Sequence, residues 1–271
     1  MIRDPYEARI RRAKLLETEY PSAAEVLKFY GELARFQKNL YREFAAAPHG
    51  SFGSFSGDAL RKQMDPEILL PHFGALLSLV EAHAPAPLAK CATELRSESE
   101  QSRRALLVEY AEEGGRGGEA LDARAELLAR AITQPFAEIQ AERTEKPPVL
   151  SLHCACPLCG GLPVVGVLRP EGDGGKRSLV CGFCSHEWEF RRILCAGCAE
   201  ERENQLPVFV AEQFPHLRVE ACDSCRRYLR TVDLTKDGNA IPLVDDLAGI
   251  PLTLWAAEHG YGRIAANLLG T

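Results

Sequence analysis

Cys156-Pro-Leu-Cys159, Cys181-Gly-Phe-Cys184, Cys195-Ala-Gly-Cys198 and Cys222-Asp-Ser-Cys225 punctuate the stretch from Cys154 to Cys225, which holds nine of the ten cysteines of this 271-residue chain. A C-x-x-C turn sets two thiolates on one side of a tight loop, and two such knuckles supply the four sulfurs of a tetrahedral metal site. Four knuckles therefore predict two sites. Between the first two knuckles, Pro163-Val-Val-Gly-Val-Leu-Arg-Pro-Glu-Gly-Asp-Gly-Gly-Lys-Arg-Ser-Leu-Val180 reads as two apolar runs around a Gly-rich turn, a hairpin that folds Cys156/Cys159 onto Cys181/Cys184. His186-Glu-Trp-Glu-Phe-Arg-Arg-Ile193 reads as a strand that would hold the second and third knuckles about 30 Å apart if straight. Cys195/Cys198 is then expected to join Cys222/Cys225, with strands at Pro207–Ala211 and Leu217–Ala221 between them. Crossed pairing of the knuckles is the alternative that spacing leaves open.

Other uses of the cysteines fit less well. Four disulfides need an oxidising compartment, and the polar start Met1-Ile-Arg-Asp-Pro-Tyr-Glu-Ala-Arg9 offers no apolar signal core. A thioredoxin-type redox site needs one C-x-x-C pair on a βαβ unit, not four. Cys154, two residues before a predicted ligand, is the surplus sulfur of this stretch and is expected to be chemically bland. His153 and His186 are expected beside the sites, not in them.

Residues 1 to about 146 contain one cysteine, Cys91, and read as helix almost throughout. Pro21 opens a segment in which Val26, Phe29, Tyr30, Leu33, Phe36, Leu40, Tyr41 and Phe44 form the clearest helical stripe of the chain, most simply a core face. After a Gly/Ser loop bearing Phe52 and Phe55, three more helices are expected at Pro66–Ala84, Pro87–Glu113 and Gly118–Glu145. Short breaks favour antiparallel packing in a bundle. The tandem prolines of Lys146-Pro-Pro-Val149 close it. At the other end, the segment from Val244 is expected to return to helix, with Leu252, Trp255, Ala256 and His259 on one face.

The fold expected is a multi-domain α+β chain. It comprises an all-helical bundle at residues 1–148, a first Cys₄ module at 149–194, and a second at 195–271 carrying a C-terminal helical segment. The net charge is −6, and two divalent tetrathiolate sites would make the balance more acidic still, which disfavours a general affinity for nucleic acid. No apolar run is long enough to span a membrane. Arg226, Arg227 and Arg230 with Tyr228 could build a basic aromatic face for RNA, but cations beside a tetrathiolate have their own electrostatic reason to be there. Arg226 and Arg227 are also the expected donors to carboxylates of a protein partner. No G-x-S-x-G, phosphate-binding loop, H-E-x-x-H or zinc-deaminase signature occurs. Closed four-sulfur sites leave no open coordination position for catalysis.

With these residues in view, the chain resembles the formate dehydrogenase accessory protein family, FdhE. The resemblance is carried by the helical half and Cys156-Pro-Leu-Cys159-Gly-Gly-Leu-Pro163. It is also carried by Cys181-Gly-Phe-Cys184 with Trp188, Cys195-Ala-Gly-Cys198, Glu220-Ala-Cys222-Asp-Ser-Cys225, and a tail with Asp245-Asp-Leu-Ala and Glu258-His-Gly-Tyr261. It implies two rubredoxin-like modules, an iron preference at two mononuclear Cys₄ sites, and a cytoplasmic location. It also implies contact with the catalytic subunit of formate dehydrogenase during maturation before export, without enzymatic activity. Spacing alone does not choose iron over zinc. A rubredoxin-like electron carrier and, further off, a nucleic-acid-binding zinc ribbon are the competing readings.

Overall fold

A computed structural model of the chain describes residues 4–47, 59–62, 64–113, 122–144, 154–171 and 174–270. Phe52, Phe55, the break at 114–118, the tandem prolines and His153 lie outside those residues. The N-terminal half is helical: α1 (Tyr6–Glu19), a 3₁₀ turn at Pro21–Ala23, α2 (Ala24–Ala46), α3 (Ala59–Lys62), α4 (Pro66–His83), α5 (Ala86–Ser97), α6 (Glu100–Glu113) and α7 (Ala123–Arg143). The α2 stripe is a core face, with Leu27, Tyr30, Leu33, Leu40, Tyr41 and Phe44 all buried. α7 is buried on every side from Leu127 to Ala141, so it is the axis around which the other helices pack. Asp65 and Asp122 start α4 and α7 by accepting the backbone N–H of Glu67 and of Arg124 and Ala125, which satisfies donors that a helix start leaves unpaired.

The single helix expected over Pro87–Glu113 is two. Glu98 adopts extended backbone at φ −75° and ψ 166°, and the Ser99 hydroxyl accepts the N–H of Ser102 at 3.1 Å. Serine competing for backbone N–H groups restarts the helix inside the wholly polar run from Arg96 to Arg104.

The C-terminal half holds β1 (Pro163–Glu171), β2 (Gly174–Cys181), β3 (Glu187–Glu189), β4 (Val208–Val210), β5 (Leu217–Cys222), β6 (Arg227–Asp233), α8 (Pro242–Ala248), α9 (Ile250–Glu258) and β7 (Gly262–Arg263). The hairpin expected between the first two knuckles forms as β1 and β2, antiparallel, with a register shift between Pro163 and Val165. The stretch His186–Ile193 is not one long strand, for only Glu187–Glu189 pairs with β2. The tail does not stay helical either. α9 ends at Glu258, and Gly260, at φ +76°, turns the chain back along β6.

The sequence did not reveal that the two modules share one sheet, ordered β3-β2-β1-β6-β5-β4 with β7 beside β6. The join is parallel, Gly166 opposite Thr231 and Leu168 opposite Asp233. It depends on a missing side chain, because a Cβ on Gly166 would stand 2.2 Å from the Thr231 hydroxyl.

Buried ions fasten the helical domain to this sheet. From α1, Arg12 donates to Asp237 at 2.6 Å and to both oxygens of Asp245, and His216 bonds Asp245 at 2.9 Å. Arg9 pairs with Glu138 of α7, which also accepts from Ser185 beside the second knuckle. Arg130 of α7 donates to the backbone carbonyls of Ala266 and Asn267 in the tail. His216, Asp237 and Asp245 lie close enough together to resemble a metal site, but Arg12 already supplies their positive charge.

Candidate metal centres

The four knuckles share one local structure. In each, the N–H of the residue after the second cysteine donates to the carbonyl of the first: Gly160 to Cys156, Ser185 to Cys181, Ala199 to Cys195 and Arg226 to Cys222, at 2.8–3.1 Å. All four of those donor residues have positive φ, from 55° to 68°. Three are not glycine, so the left-handed turn is held against an intrinsic cost of about 1–2 kcal/mol per residue. The N–H groups of Phe183 and Gly197 also point at the sulfurs of Cys181 and Cys195, each at 3.3 Å.

These turns bring together two sulfur clusters, Cys156 with Cys159, Cys181 and Cys184, and Cys195 with Cys198, Cys222 and Cys225. The arrangement is sequential and not crossed. In the first cluster Cys156 and Cys184 are 3.8 Å apart and Cys159 and Cys181 3.4 Å; in the second, Cys195–Cys225 is 3.8 Å and Cys198–Cys222 3.7 Å. These are far longer than a disulfide bond of about 2.05 Å. A tetrahedron with metal–sulfur bonds of about 2.3 Å has edges of about 3.8 Å. The donor sets fit a tetrahedral thiophilic ion in both places.

The thiols themselves ask for a cation. Burial pushes Cys181 and Cys184 far up, whereas hydrogen bonds from Cys156, Cys181 and Cys184 hold Cys159 far down. In the second cluster burial raises Cys195, while at Cys225 burial is outweighed by the Arg227 N–H and neighbouring thiols, and that thiol is lowered. Each cluster thus has one thiol held towards its thiolate, Cys159 or Cys225, beside two that burial holds back from ionising, Cys181 and Cys184 in the first and Cys195 and Cys198 in the second. A divalent ion stabilises the remaining negative charges.

The two centres differ in setting. The first is wholly buried, the second has Cys198 exposed and Cys225 half-buried. The first also meets a residue that the motif does not contain. Arg61 of α3 is 2% exposed, donates to the Ala111 carbonyl and lies over the Phe183 ring of the second knuckle at 4.0 Å. A Cβ on Gly161 would meet the Cys181 sulfur at 2.9 Å, Arg61 Nη2 at 3.0 Å and the Cys159 sulfur at 3.3 Å. The guanidinium and two thiolates converge on the space this glycine leaves open. No signal in the sequence links Arg61 to cysteines a hundred residues away.

Arg226 and Arg227 are partly committed within the chain. Arg226, half-exposed, donates to Asp223 and to the His259 carbonyl at 2.6 Å and covers the Tyr261 ring at 4.1 Å. Arg227 donates to the Gly197 carbonyl inside the third knuckle at 2.8 Å. The basic aromatic face for RNA does not form. Tyr228 and Arg230 are buried, because β6 is covered on both faces, and Arg230 is paired with Asp246 at 2.8 Å. Cys154 stands outside both clusters, its sulfur 3.4 Å from the Cys195 carbonyl, and Cys91 is buried among helices.

Fold and sites define a class: an all-helical domain clasped to a tandem of zinc-ribbon-like Cys₄ modules. The C-terminal domain model of FdhE matches residues 193–269 and the central domain model matches residues 155–192. A protein FdhE homolog of Aquifex aeolicus is 24% identical over 97% of this chain and 95% of its own length. The homolog of Pseudomonas aeruginosa is 39% identical over 119 residues, 42% of this chain and 38% of that protein. The crystal structure of the FdhE protein from Pseudomonas aeruginosa superimposes with a TM-score of 0.74 at 26% identity, over 99% of this chain and 96% of that one. The chain is similar to FdhE proteins over its whole length, helical domain included, and its metal-centre half matches both FdhE domain models.

Proposed function

We propose that this protein is a non-enzymatic accessory factor for formate dehydrogenase, acting in its maturation in the cytoplasm by presenting its metal modules to the catalytic subunit. The observation that carries this reading is the end-to-end match to FdhE proteins, helical domain included. Both candidate centres offer four sulfurs and so leave no position for a substrate. Iron is the proposed occupant, one ion held by Cys156, Cys159, Cys181 and Cys184 and one by Cys195, Cys198, Cys222 and Cys225. Among the described residues no helix is long and apolar enough to cross a membrane. Arg226, which keeps a half-exposed guanidinium, and Arg227 beside it are proposed donors to carboxylates of the subunit.

Deletion of the gene followed by assay of formate dehydrogenase tests the reading. Loss of activity restored by the intact chain supports it, and normal activity in deleted cells, with no association between the two proteins, refutes it. Metal analysis of protein purified without air, with an optical spectrum before and after addition of a mild oxidant such as ferricyanide, tests the occupant, since ferric tetrathiolate is coloured and zinc tetrathiolate is not. Two tightly held zinc ions in protein from its natural host would replace iron.

A second reading, a one-electron carrier, is favoured by the exposure of Cys198, which brings a sulfur of the second centre to the surface. A reversible redox signal from that centre, together with electron transfer to a partner, would support it.

A further inference from the structure

β4 closes one end of the sheet, and among the described residues no strand pairs with its outer side. Its register shows which groups are free. Ala221 N–H donates to the Pro207 carbonyl, and Phe209 lies opposite Val219 in the same hydrogen-bonding phase. The main-chain groups of Phe209 therefore face β5, and those of Val208 and Val210 face away from it. These two valines are 52% and 69% exposed, and on nearby α9 Leu254 is 61% exposed. Natural edge strands are usually blunted by charge, proline or cover. This one presents two β-branched apolar side chains.

Behind β4 lies a cleft of about 670 Å³ between the start of the 3₁₀ turn, β4 and α9, its walls including Tyr20, Phe209, Phe214, Leu252 and Trp255. Its shape is held by two aromatic contacts, one stacked and one tilted. Tyr20 packs on Phe214 at 4.9 Å and Phe209 on Trp255 at 4.6 Å. No Lys or Arg lines it among the described residues, whereas Glu19 does. Glu212 sits between the lining residues Ala211 and Gln213, and Glu258 follows Trp255 by three positions on α9. All three glutamates are exposed.

We propose that β4 and this cleft receive an extended segment of a partner polypeptide, added to the sheet as a further strand, with apolar side chains entering the cleft and flanking Lys or Arg facing Glu19, Glu212 and Glu258. The free N–H and C=O groups of Val208 and Val210 select an extended backbone. The aromatic walls select apolar side chains, and the acidic rim selects basic flanks. The inference rests on the accessory reading above and names the surface on which that partner docks.

The test measures binding of the full chain to the formate dehydrogenase catalytic subunit. Val210→Pro removes one outward N–H and leaves the β5 pairing intact, because that N–H makes no bond to β5; Val208→Asp with Val210→Asp removes the apolar contact. Each is expected to weaken binding about tenfold or more with metal content and circular dichroism unchanged. Amide exchange at Val208 and Val210 is expected to be fast in the free protein and slow in the complex. Binding by both variants at full strength overturns this surface and spares the accessory reading. No binding by the wild type overturns both. A self-dimer dissolved by Val210→Asp would make a second copy the occupant, and so would also overturn the proposal.

Discussion

The guanidinium of Arg61 lies 4.0 Å from the centre of the Phe183 ring, which places a cation of the helical domain against the knuckle that supplies Cys181 and Cys184. A tetrathiolate around a divalent ion carries about two negative charges, and inside a protein such charge needs a partner. Arg61 is the buried cation at that position. Arg61→Gln is expected to loosen metal at the first centre about 10- to 100-fold, the usual consequence of removing an outer-sphere partner. The second centre should hold its metal unchanged, and Arg61→Lys should restore part of the loss. Competition with a chelator, read separately for the two ions, decides this. Equal affinities in wild type and Arg61→Gln would reduce Arg61 to a packing residue.

Cys159→Ser removes one sulfur of the first cluster. It is expected to release one metal per chain and leave the second bound, because the second cluster draws all its sulfurs from Cys195 to Cys225. Metal stoichiometry by mass spectrometry under native conditions measures it. Loss of both ions from a folded variant would show that the shared sheet couples the centres.

Asp246 is buried, which alone would raise its carboxyl, yet Arg230 and Arg263 hold it below the usual range. Asp237 is likewise lowered, its burial outweighed by the Asn239 N–H and Arg12. A carboxyl with a depressed folded value contributes stability that is present above its unfolded value, about 3.9, and lost as pH falls through the folded value. Chemical denaturation should therefore show these contributions intact at pH 5 and above and declining below about pH 4. Asp246→Asn leaves two arginines without their counter-charge and is expected to cost about 3–5 kcal/mol at neutral pH.

Ala199 occupies the left-handed turn of the third knuckle at φ +59°. Ala199→Gly removes the clash of Cβ in that conformation but adds freedom to the unfolded chain, for a net gain of about 0.5–1 kcal/mol. The same change at an ordinary helical alanine would destabilise. The denaturant midpoint of metal-loaded protein gives the sign.

Much of this protein was legible in its cysteines, because a knuckle is a local object. Two cysteines three residues apart, a tight turn and an intervening hairpin put sulfurs together without help from distant parts of the chain. The helical stripe of α2 was legible for the same reason, since period and burial coincide within one element. What lay beyond the sequence was long-range. Asp245 and Asp246 stood out in the tail as part of a family pattern, but only the folded chain shows them closing on Arg12, Arg230 and Arg263. Arg227, Tyr228 and Arg230 looked like a surface and became strand β6, which pairs between β5 and β1 and is buried on both faces from Tyr228 to Val232. Arg61 carried no local signal at all. Buried charges must find opposite charges wherever the chain provides them, and that choice is made by tertiary packing, not by neighbours in sequence.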